Sequence, residues 1–270
     1  MKFLPDIDLE EKLNVNFRDS YLVRNNSQEL FDKLALTTCS LQFKNEFLQL
    51  VQLFSDGIIE GNFGKEKEII ENVSEDLFQA GKYIIGSFYR GINFDKKAIK
   101  DLVFSNKELI LKYSIKSKSS PRHLDRGSYE IQKLALDMKK VLEKNNYDLI
   151  VPVANGGYEG AFLFADILEI KEIFPIRFSN FNRTYNQDYS PKIWAIYDKK
   201  ELSNKFYGKR ILCVEDLVCS GESLVEVMKF IDKEKPKSLN GIAARISKDH
   251  IIKNSDISFE YKDPFFCKLI

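Results

Sequence analysis

Histidine and cysteine are scarce in this 270-residue chain, which has only His123 and His250 and four cysteines, Cys39, Cys213, Cys219 and Cys267. No two cysteines form a C-x-x-C pair, so there is no zinc or dithiol pattern, and reduced thiols suit the chain best. Two histidines also offer little to a Ser-His-Asp hydrolase, and no Cys-His catalytic pair is evident. No apolar run approaches the ~20 residues that span a bilayer. The opening MKFLPDIDLEEKL is acidic and has no sustained apolar core, unlike a secretory signal. Net charge is nearly absent as well. Lys plus Arg number 41 and Asp plus Glu 40, a formal charge of +1, so no global field draws the chain to nucleic acid or an anionic membrane, though a local basic patch stays open. These absences predict a soluble, cytoplasmic protein.

What is present is an ordinary globular composition, 44% hydrophobic and 30% charged, with length for one large domain or two of about 100–150 residues. The first part reads as helical. Ser27-Gln28-Glu29 opens a helix whose apolar positions, Leu30, Phe31, Leu34, Leu41, Phe47, Leu48, Val51 and Phe54, recur at threes and fours until Gly57, Gly61 and Gly64 break it. A second helix is predicted from about Lys65 to Tyr89, with Ile69, Ile70, Val73, Leu77, Tyr83, Ile84 and Phe88 on its buried side, and a third from Asp95 to Tyr113. No chemistry is visible here. Ser, Lys, Pro and Gly then cluster between Ser114 and Gly127, as in a linker. Arg122, His123 and Arg126 could reach a phosphate from it or simply be solvated.

Beyond the joint, helices and strands alternate, which predicts a parallel sheet. Tyr129 to Lys144 has helical periodicity. Within DLIVPVANGGYEGAFLFADIL, residues Leu149, Ile150, Val151 and Val153 read as a strand, Ala154-Asn155-Gly156-Gly157 as a turn and Ala161 to Leu168 as a helix. Paired glycines let backbone N–H groups approach an oxygen-rich ligand. Phe174 to Phe178 reads as the next strand, with Arg177 toward the sheet's carboxyl edge. The polar stretch SNFNRTYNQDYSPK follows, then a short strand from Ile193 to Tyr197.

The most informative stretch is RILCVEDLVCSGES, Arg210 to Ser223. Ile211 to Val214 forms a short continuous apolar run, as in a strand buried on both faces. It ends on Glu215 and Asp216, and the turn Cys219-Ser220-Gly221-Glu222-Ser223 leads into an amphipathic helix, Leu224 to Ile231. Free N–H groups and the positive end of the helix dipole make that turn an anion site. The two acids would repel the anion, so their partners are vicinal hydroxyls or a bridging cation. A phosphate beside a diol describes a ribose 5-phosphate. A capped strand-to-helix turn, with Ser220 or Ser223 as the cap, is the plainer alternative. Cys219 reads either as filler or as a thiol activated at a helix N-terminus.

This stretch resembles the phosphoribosyl-pyrophosphate motif of the type I phosphoribosyltransferases, in which two acids and a T-T-G-x-T/S-like loop follow an apolar strand. The glycine turn at 154–157 resembles the family's pyrophosphate loop, most closely in the purine-salvage branch, where a G-G-aromatic turn leads into a Phe-Ala-Asp-containing helix. The resemblance covers roughly Ser128 to Lys248. It implies an α/β fold, a parallel-sheet, Rossmann-like phosphoribosyltransferase-like domain at residues 119–270 preceded by a mainly α-helical domain at 1–118.

The activity it implies is Mg²⁺-dependent displacement of pyrophosphate from phosphoribosyl pyrophosphate by a nitrogenous base. Glu215 and Asp216 would hold the ribose hydroxyls and, through them, the metal that phosphoribosyl pyrophosphate carries. Residues Cys219, Ser220, Gly221, Glu222 and Ser223 would hold the 5′-phosphate. Ala154, Asn155, Gly156, Gly157 and Arg177 would face the pyrophosphate. Arg183, with Thr184 and Tyr185, would lie on a closing catalytic loop, and Lys248 would read the base. Tyr261, Phe265 or Phe266 would either stack on the base or pack in the core.

Three departures from the family stand out. Cys219 replaces an aspartate of the purine-salvage enzymes, Glu222 places an acid where relatives have a small or basic residue, and the C-terminal region that hoods the base is short. Two other uses of the fold therefore stay open: a non-catalytic phosphoribosyl pyrophosphate- or nucleotide-binding regulator, and a nucleotide-attacking effector of a defence or toxin system. Family members are commonly dimers, and the helical domain could bind a partner protein.

Overall fold

The computed structural model of the chain describes residues 26–60, 63–114, 138–139, 142–153, 157–178, 191, 193, 197–218, 221–246, 257–262 and 265–269. The chain divides into two units, Met1–Tyr129 and Glu130–Ile270.

In the first unit, helix α1, Ser27–Leu36, starts on a capping box. The Asn26 side chain accepts from the Glu29 N–H while the Glu29 carboxylate accepts from the Asn26 N–H, which pairs two of the donors a helix start leaves over. The helix predicted to continue to Phe54 breaks instead at Thr37, which is extended, and restarts as α2, Ser40–Glu60. The seven-residue step from Leu34 to Leu41 keeps the helical period across the break, so the sequence pattern hides it. What stabilises the break is remote in sequence: Lys100 Nζ donates to the carbonyls of Ala35 at 2.8 Å and Thr37 at 3.3 Å. Helix α2 also runs past Gly57, the predicted breaker. A helix-interior glycine costs only about 1 kcal/mol relative to alanine, and the burial of Leu53, Phe54 and Ile58 around it outweighs that at about 1.5–3 kcal/mol per side chain.

A 3₁₀ turn, Gly64–Glu66, leads into α3, Lys67–Tyr89. Its core face is narrower than the periodicity predicts. Ile70, Val73, Leu77 and Ile84 are buried, but Ile69 is 54% and Tyr83 46% exposed. The helix ends in a Schellman closure, with Gly91 at φ 68° and N–H bonds from Ile92 to the Ser87 carbonyl and from Gly91 to the Phe88 carbonyl. The predicted third helix is two, α4, Lys96–Ser105, and α5, Lys107–Tyr113. They part at Asn106, whose side-chain amide donates to the Leu102 carbonyl at 2.9 Å. Such side-chain competition for the backbone is the usual reason asparagine sits at helix ends.

Helix α2 carries charges inward. Lys44 is fully buried with its ammonium 4.9 Å from the Phe88 ring centroid. Glu46 is 5% exposed and accepts from the Gln42 amide at 2.8 Å. Burial pushes the Glu46 carboxyl above its ordinary 4.5, against the opposing hydrogen bonds of Gln42 and Thr37 and the charges of Lys33 and Lys100. A carboxyl whose folded pKa is raised contributes stability that is complete below about 4.5 and is lost as pH rises through the folded value. Glu46→Gln is therefore expected to raise the melting temperature at pH 7.5 and to change it less at pH 5. Thermal melts at both pH values check this, and a Gln variant destabilised equally at both would refute it.

In the second unit the strands are β1, Leu149–Pro152, β2, Glu172–Ile173, β3, Arg210–Val218, β4, Ser238–Ile246, β5, Ile257–Lys262, and β6, Phe265–Leu269. The sheet order is β2-β1-β3-β4-β6-β5, parallel from β2 to β4, with β6 antiparallel to β4 and β5 antiparallel to β6. The helices are α6, Gly157–Ile167, α7, Lys199–Phe206, and α8, Glu222–Asp232. Continuous apolar runs make the central strands buried on both faces, as the sequence predicts. Leu149, Val151, Val153, Ile211 and Cys213 join one core cluster with Leu202 and Phe206 of α7 and with Leu224, Val227 and Met228 of α8. Ile150 and Leu212, alternate positions on the same strands, are buried too.

At the amino edge of the sheet Arg210 clamps β3 to the entry of β1. Its Nε and backbone N–H each donate to Asp148 Oδ2 at 2.9 Å, and a terminal guanidinium nitrogen donates to Oδ1 at 2.6 Å. These bonds hold the Asp148 carboxyl down to about 2.

The stretch expected as a strand at Phe174 to Phe178 runs beside β1 with Ile176 bridged to Val153 and the Phe174 N–H donating to the Ile150 carbonyl at 2.9 Å, while the regular strand is β2, just before it. Of the helix expected over Tyr129 to Lys144, positions 138–139 and 142–143 are described and helical, with Met138 and Leu142 buried. Ile193 and Tyr197, the ends of the expected short strand, pack against the core cluster. Residues 194–196 lie outside the described residues.

Candidate functional site

Strand β1 leads by way of α6 to β2 on one side, while β3 pairs with its other side. The strand order thus reverses between β1 and β3. In an open α/β sheet the carboxyl ends of the strands flanking such a reversal splay into a crevice, which is where ligands bind. The two stretches singled out from the sequence leave the sheet at that place.

Their junction is tightly built. Pro152 of β1 is in register with Val214 of β3, and the Val153 N–H donates to the Val214 carbonyl at 2.8 Å. Helix α6 begins at Gly157, about one turn earlier than the expected start at Ala161. A Cβ at Gly157 would lie 2.4 Å from the Val214 oxygen and 3.3 Å from Pro152 backbone atoms. No real Cβ tolerates the first distance, so only glycine brings the first turn of α6 this close to the middle of β3. Gly160 repeats the approach one turn on, with its Cβ position 3.0 Å from Val214 Cγ1.

One residue beyond Val214, Glu215 is 7% exposed and pairs in register with Ala243 of β4. The strand does not stop at the acids: β3 runs through Glu215 and Asp216 to Val218, paired with β4 as far as Ile246. Both acids therefore sit on rigid ladder backbone, which favours precise positioning of a ligand more than a loop would. After the turn, α8 starts from Gly221, whose φ of 77° is left-handed and which has no side chain of its own to cap the helix. Helices α1, α4 and α7 are by contrast capped by Asn26, Asp95 and Asp198. An uncapped start leaves N–H groups pointing into the turn. Arg177 is half-buried directly after Ile176, the residue that bridges to Val153.

The structure thus brings Gly157, Arg177, Glu215, Gly221, Glu222 and Ser223 to the carboxyl side of the sheet. Asp216 is placed by its backbone alone. Ala154, Asn155, Gly156, Arg183, Cys219, Ser220 and Lys248 lie outside the described residues. Sequence reasoning missed Val214 and Gly160, whose contribution is a carbonyl and a missing side chain at a close approach, which no residue pattern announces. It also passed over Glu159, in the first turn of α6 and only 1% exposed. Among the described residues no group of three or more His, Cys, Asp or Glu is placed to hold a metal, and no helix is long and apolar enough to cross a membrane.

The phosphoribosyl transferase domain model matches residues 126–268, more than half of the chain. The chain belongs to the phosphoribosyl transferase family, and its activity class is that of a phosphoribosyltransferase. Solved structures similar to it include a purine phosphoribosyltransferase from Pyrococcus horikoshii Ot3, at 19% identity and TM-score 0.37, covering 47% of this chain and 79% of that one. Others are the xanthine-guanine-hypoxanthine phosphoribosyltransferase of Helicobacter pylori, at 20% identity and TM-score 0.36, covering 46% and 77%, and the adenine phosphoribosyltransferase of Saccharomyces cerevisiae, at 14% and 0.32, covering 47% and 72%. No curated protein matches the chain.

Proposed function

We propose that residues 119–270 form a catalytic domain that binds phosphoribosyl pyrophosphate with Mg²⁺ and transfers its phosphoribosyl group to a nitrogenous base, releasing pyrophosphate. The observation that carries this reading is the meeting of the two strand-to-helix junctions at the reversal between β1 and β3, with buried Glu215 between them. In this reading Glu215 and Asp216 accept from the two ribose hydroxyls, and the start of α8 with Ser220, Gly221 and Ser223 holds the 5′-phosphate. Ala154, Asn155, Gly156, Gly157 and Arg177 take the pyrophosphate, Arg183 closes over it, and Lys248 reads the base. The carboxylates are hard oxygen donors and suit Mg²⁺. The metal would neutralise charge on the leaving diphosphate.

The transition state of such a displacement has oxocarbenium character, so no covalent nucleophile is required of the protein. Its residues must orient the ribose toward the base, stabilise the departing anion and exclude water. A test is incubation of the protein with phosphoribosyl pyrophosphate, Mg²⁺ and a panel of purine and pyrimidine bases, following pyrophosphate release and nucleotide formation by mass spectrometry. Nucleotide formation with one base class is expected. Tight binding without turnover on any base would instead establish a non-catalytic ligand-binding protein.

A further inference from the structure

Val214 meets helix α6 twice. Its carbonyl oxygen lies 2.4 Å from the Cβ position of Gly157, and its Cγ1 methyl lies 3.0 Å from that of Gly160. Residues three apart on a helix share a face, so the two glycines form one notch and the Val214 side chain is the knob seated in it. The knob is 2% exposed, and its backbone is fixed on both sides. The Val153 N–H of the β1 side donates to the Val214 carbonyl at 2.8 Å, and β4 pairs on the other side with Ile242 in register. A rigid knob in a notch without side chains acts as a stop, and it sets how deeply the start of α6 settles on β3.

The stop stands directly before Glu215. Successive strand residues point to opposite faces. Val214 faces α6, so Glu215 lies on the other face, where its register partner Ala243 packs in one cluster with Leu224 and Val225 of α8. Two consecutive residues therefore hold the height of α6 on one side of the sheet and a buried acid on the other. A change in that height moves Gly157 relative to Glu215 and leaves the pairing of β3 untouched. The tolerance is small. Ordinary van der Waals contact begins at 3.4 Å, so a methyl at position 160 must gain about 0.4 Å over the 3.0 Å available, by lifting α6 or by turning Val214 out of its rotamer.

We propose that Val214 is a positioning residue: its γ-methyl, seated in the Gly157–Gly160 notch, fixes the height of α6 relative to Glu215 and with it the affinity for phosphoribosyl pyrophosphate. The inference rests on the reading of the site given above. It assigns the role to a shape and not to a functional group, so a side chain of the same shape serves as well as valine.

Isothermal titration of the full-length protein with phosphoribosyl pyrophosphate and Mg²⁺, with a thermal melt of every variant, tests this. Gly160→Ala is expected to bind about tenfold more weakly than wild type, scaled from the roughly hundredfold effect of a 1 Å misplacement. Removing the knob from that variant, as Gly160→Ala with Val214→Ala, is expected to bring affinity back to within about threefold of wild type, because the two sites are in contact and couple. Val214→Thr keeps the branched shape but buries a hydroxyl, so a lower melting temperature with wild-type affinity is expected. Should Gly160→Ala yield little folded protein, Val214→Ile crowds the same notch from the strand side and is expected to weaken binding in its place.

A contact that served stability alone would make affinity follow the melting temperature across the set, and Val214→Thr would then bind weakly; that result overturns the inference. So does a folded Gly160→Ala or Val214→Ile that binds like wild type, or a double variant that binds no more tightly than Gly160→Ala. Each of these leaves the site reading standing. Folded wild-type protein that binds no phosphoribosyl pyrophosphate overturns the site reading and the inference with it.

Discussion

The double variant Glu215→Gln, Asp216→Asn is expected to lose phosphoribosyl pyrophosphate binding by about a thousandfold or more, with turnover falling at least as far. Hydrogen bonds to charged groups contribute about 1.5–3 kcal/mol each, and two acids facing a diol make at least two of them. Both amides keep the shape of the side chains and remove only the charge, so the strand that carries them is expected to keep its pairing. Glu215 is buried and its neighbours in β3 are fixed on both sides, by β1 through Val214 and by β4 through Ala243. The acids are thus held by backbone that the substitution does not touch. Titration with phosphoribosyl pyrophosphate and Mg²⁺, alongside a thermal melt, separates the outcomes. Wild-type affinity in a well-folded double variant would remove these acids from the ribose site.

The second large effect is expected at a position with no functional group. Gly157→Ala places a methyl 2.4 Å from the Val214 carbonyl oxygen, with Pro152 backbone 3.3 Å away. The obstacle is main chain of two adjacent strands, which cannot swing aside as a side-chain tip can. Overpacking of this kind costs about 1–3 kcal/mol. The only relief is to push the start of α6 away from Val214, which moves Gly157 from the strand that carries Glu215. Displacement of a substrate-positioning group by about 1 Å is enough to lower a rate about a hundredfold. Gly157→Ala is therefore expected to lower both the melting temperature and kcat/KM. Gly208→Ala provides the contrast: its φ of 68° strains an alanine, but nothing lies within 4 Å of the new methyl, so a loss of about 1–2 kcal/mol of stability with unchanged kcat/KM is expected there. Equal kinetic effects at the two glycines would show that the close approach to Val214 does not matter to the site.

Much of the second unit was legible from its sequence because its signals are local. A strand buried on both faces must be apolar throughout, and Leu149 to Val151 and Ile211 to Val214 are. A glycine turn followed by a helical period marks each junction. The helical unit was harder to parse for an equally physical reason. Thr37 and Asn106 interrupt helices whose apolar period continues across the break, and what holds the first break is Lys100, 63 residues from Thr37. Periodicity records which face is buried; it does not record where a remote side chain takes over a carbonyl. The exposure of Ile69 and Tyr83 has the same origin, since an apolar stripe can be wider than the surface offered to cover it. Likewise the antiparallel pair β5 and β6 follows from pairing along β4, a long-range choice that the aromatic terminus did not announce.

Sequence alone determined the chemistry available: an acidic pair directly after a buried apolar run, two glycine turns leading into helices, and an arrangement that places the chain in the phosphoribosyl transferase family. Tertiary structure alone decided that β1 and β3 are neighbours with the strand order reversing between them. It also decided that α6 begins at Gly157 against the Val214 carbonyl, and that Glu159 is buried in the first turn of that helix. Residue types and their spacing are carried by short stretches of chain. Adjacency of two strand positions 62 residues apart, Pro152 at the end of β1 beside Val214 within β3, is set by which hydrophobic faces can be buried together, and that depends on the whole sheet at once.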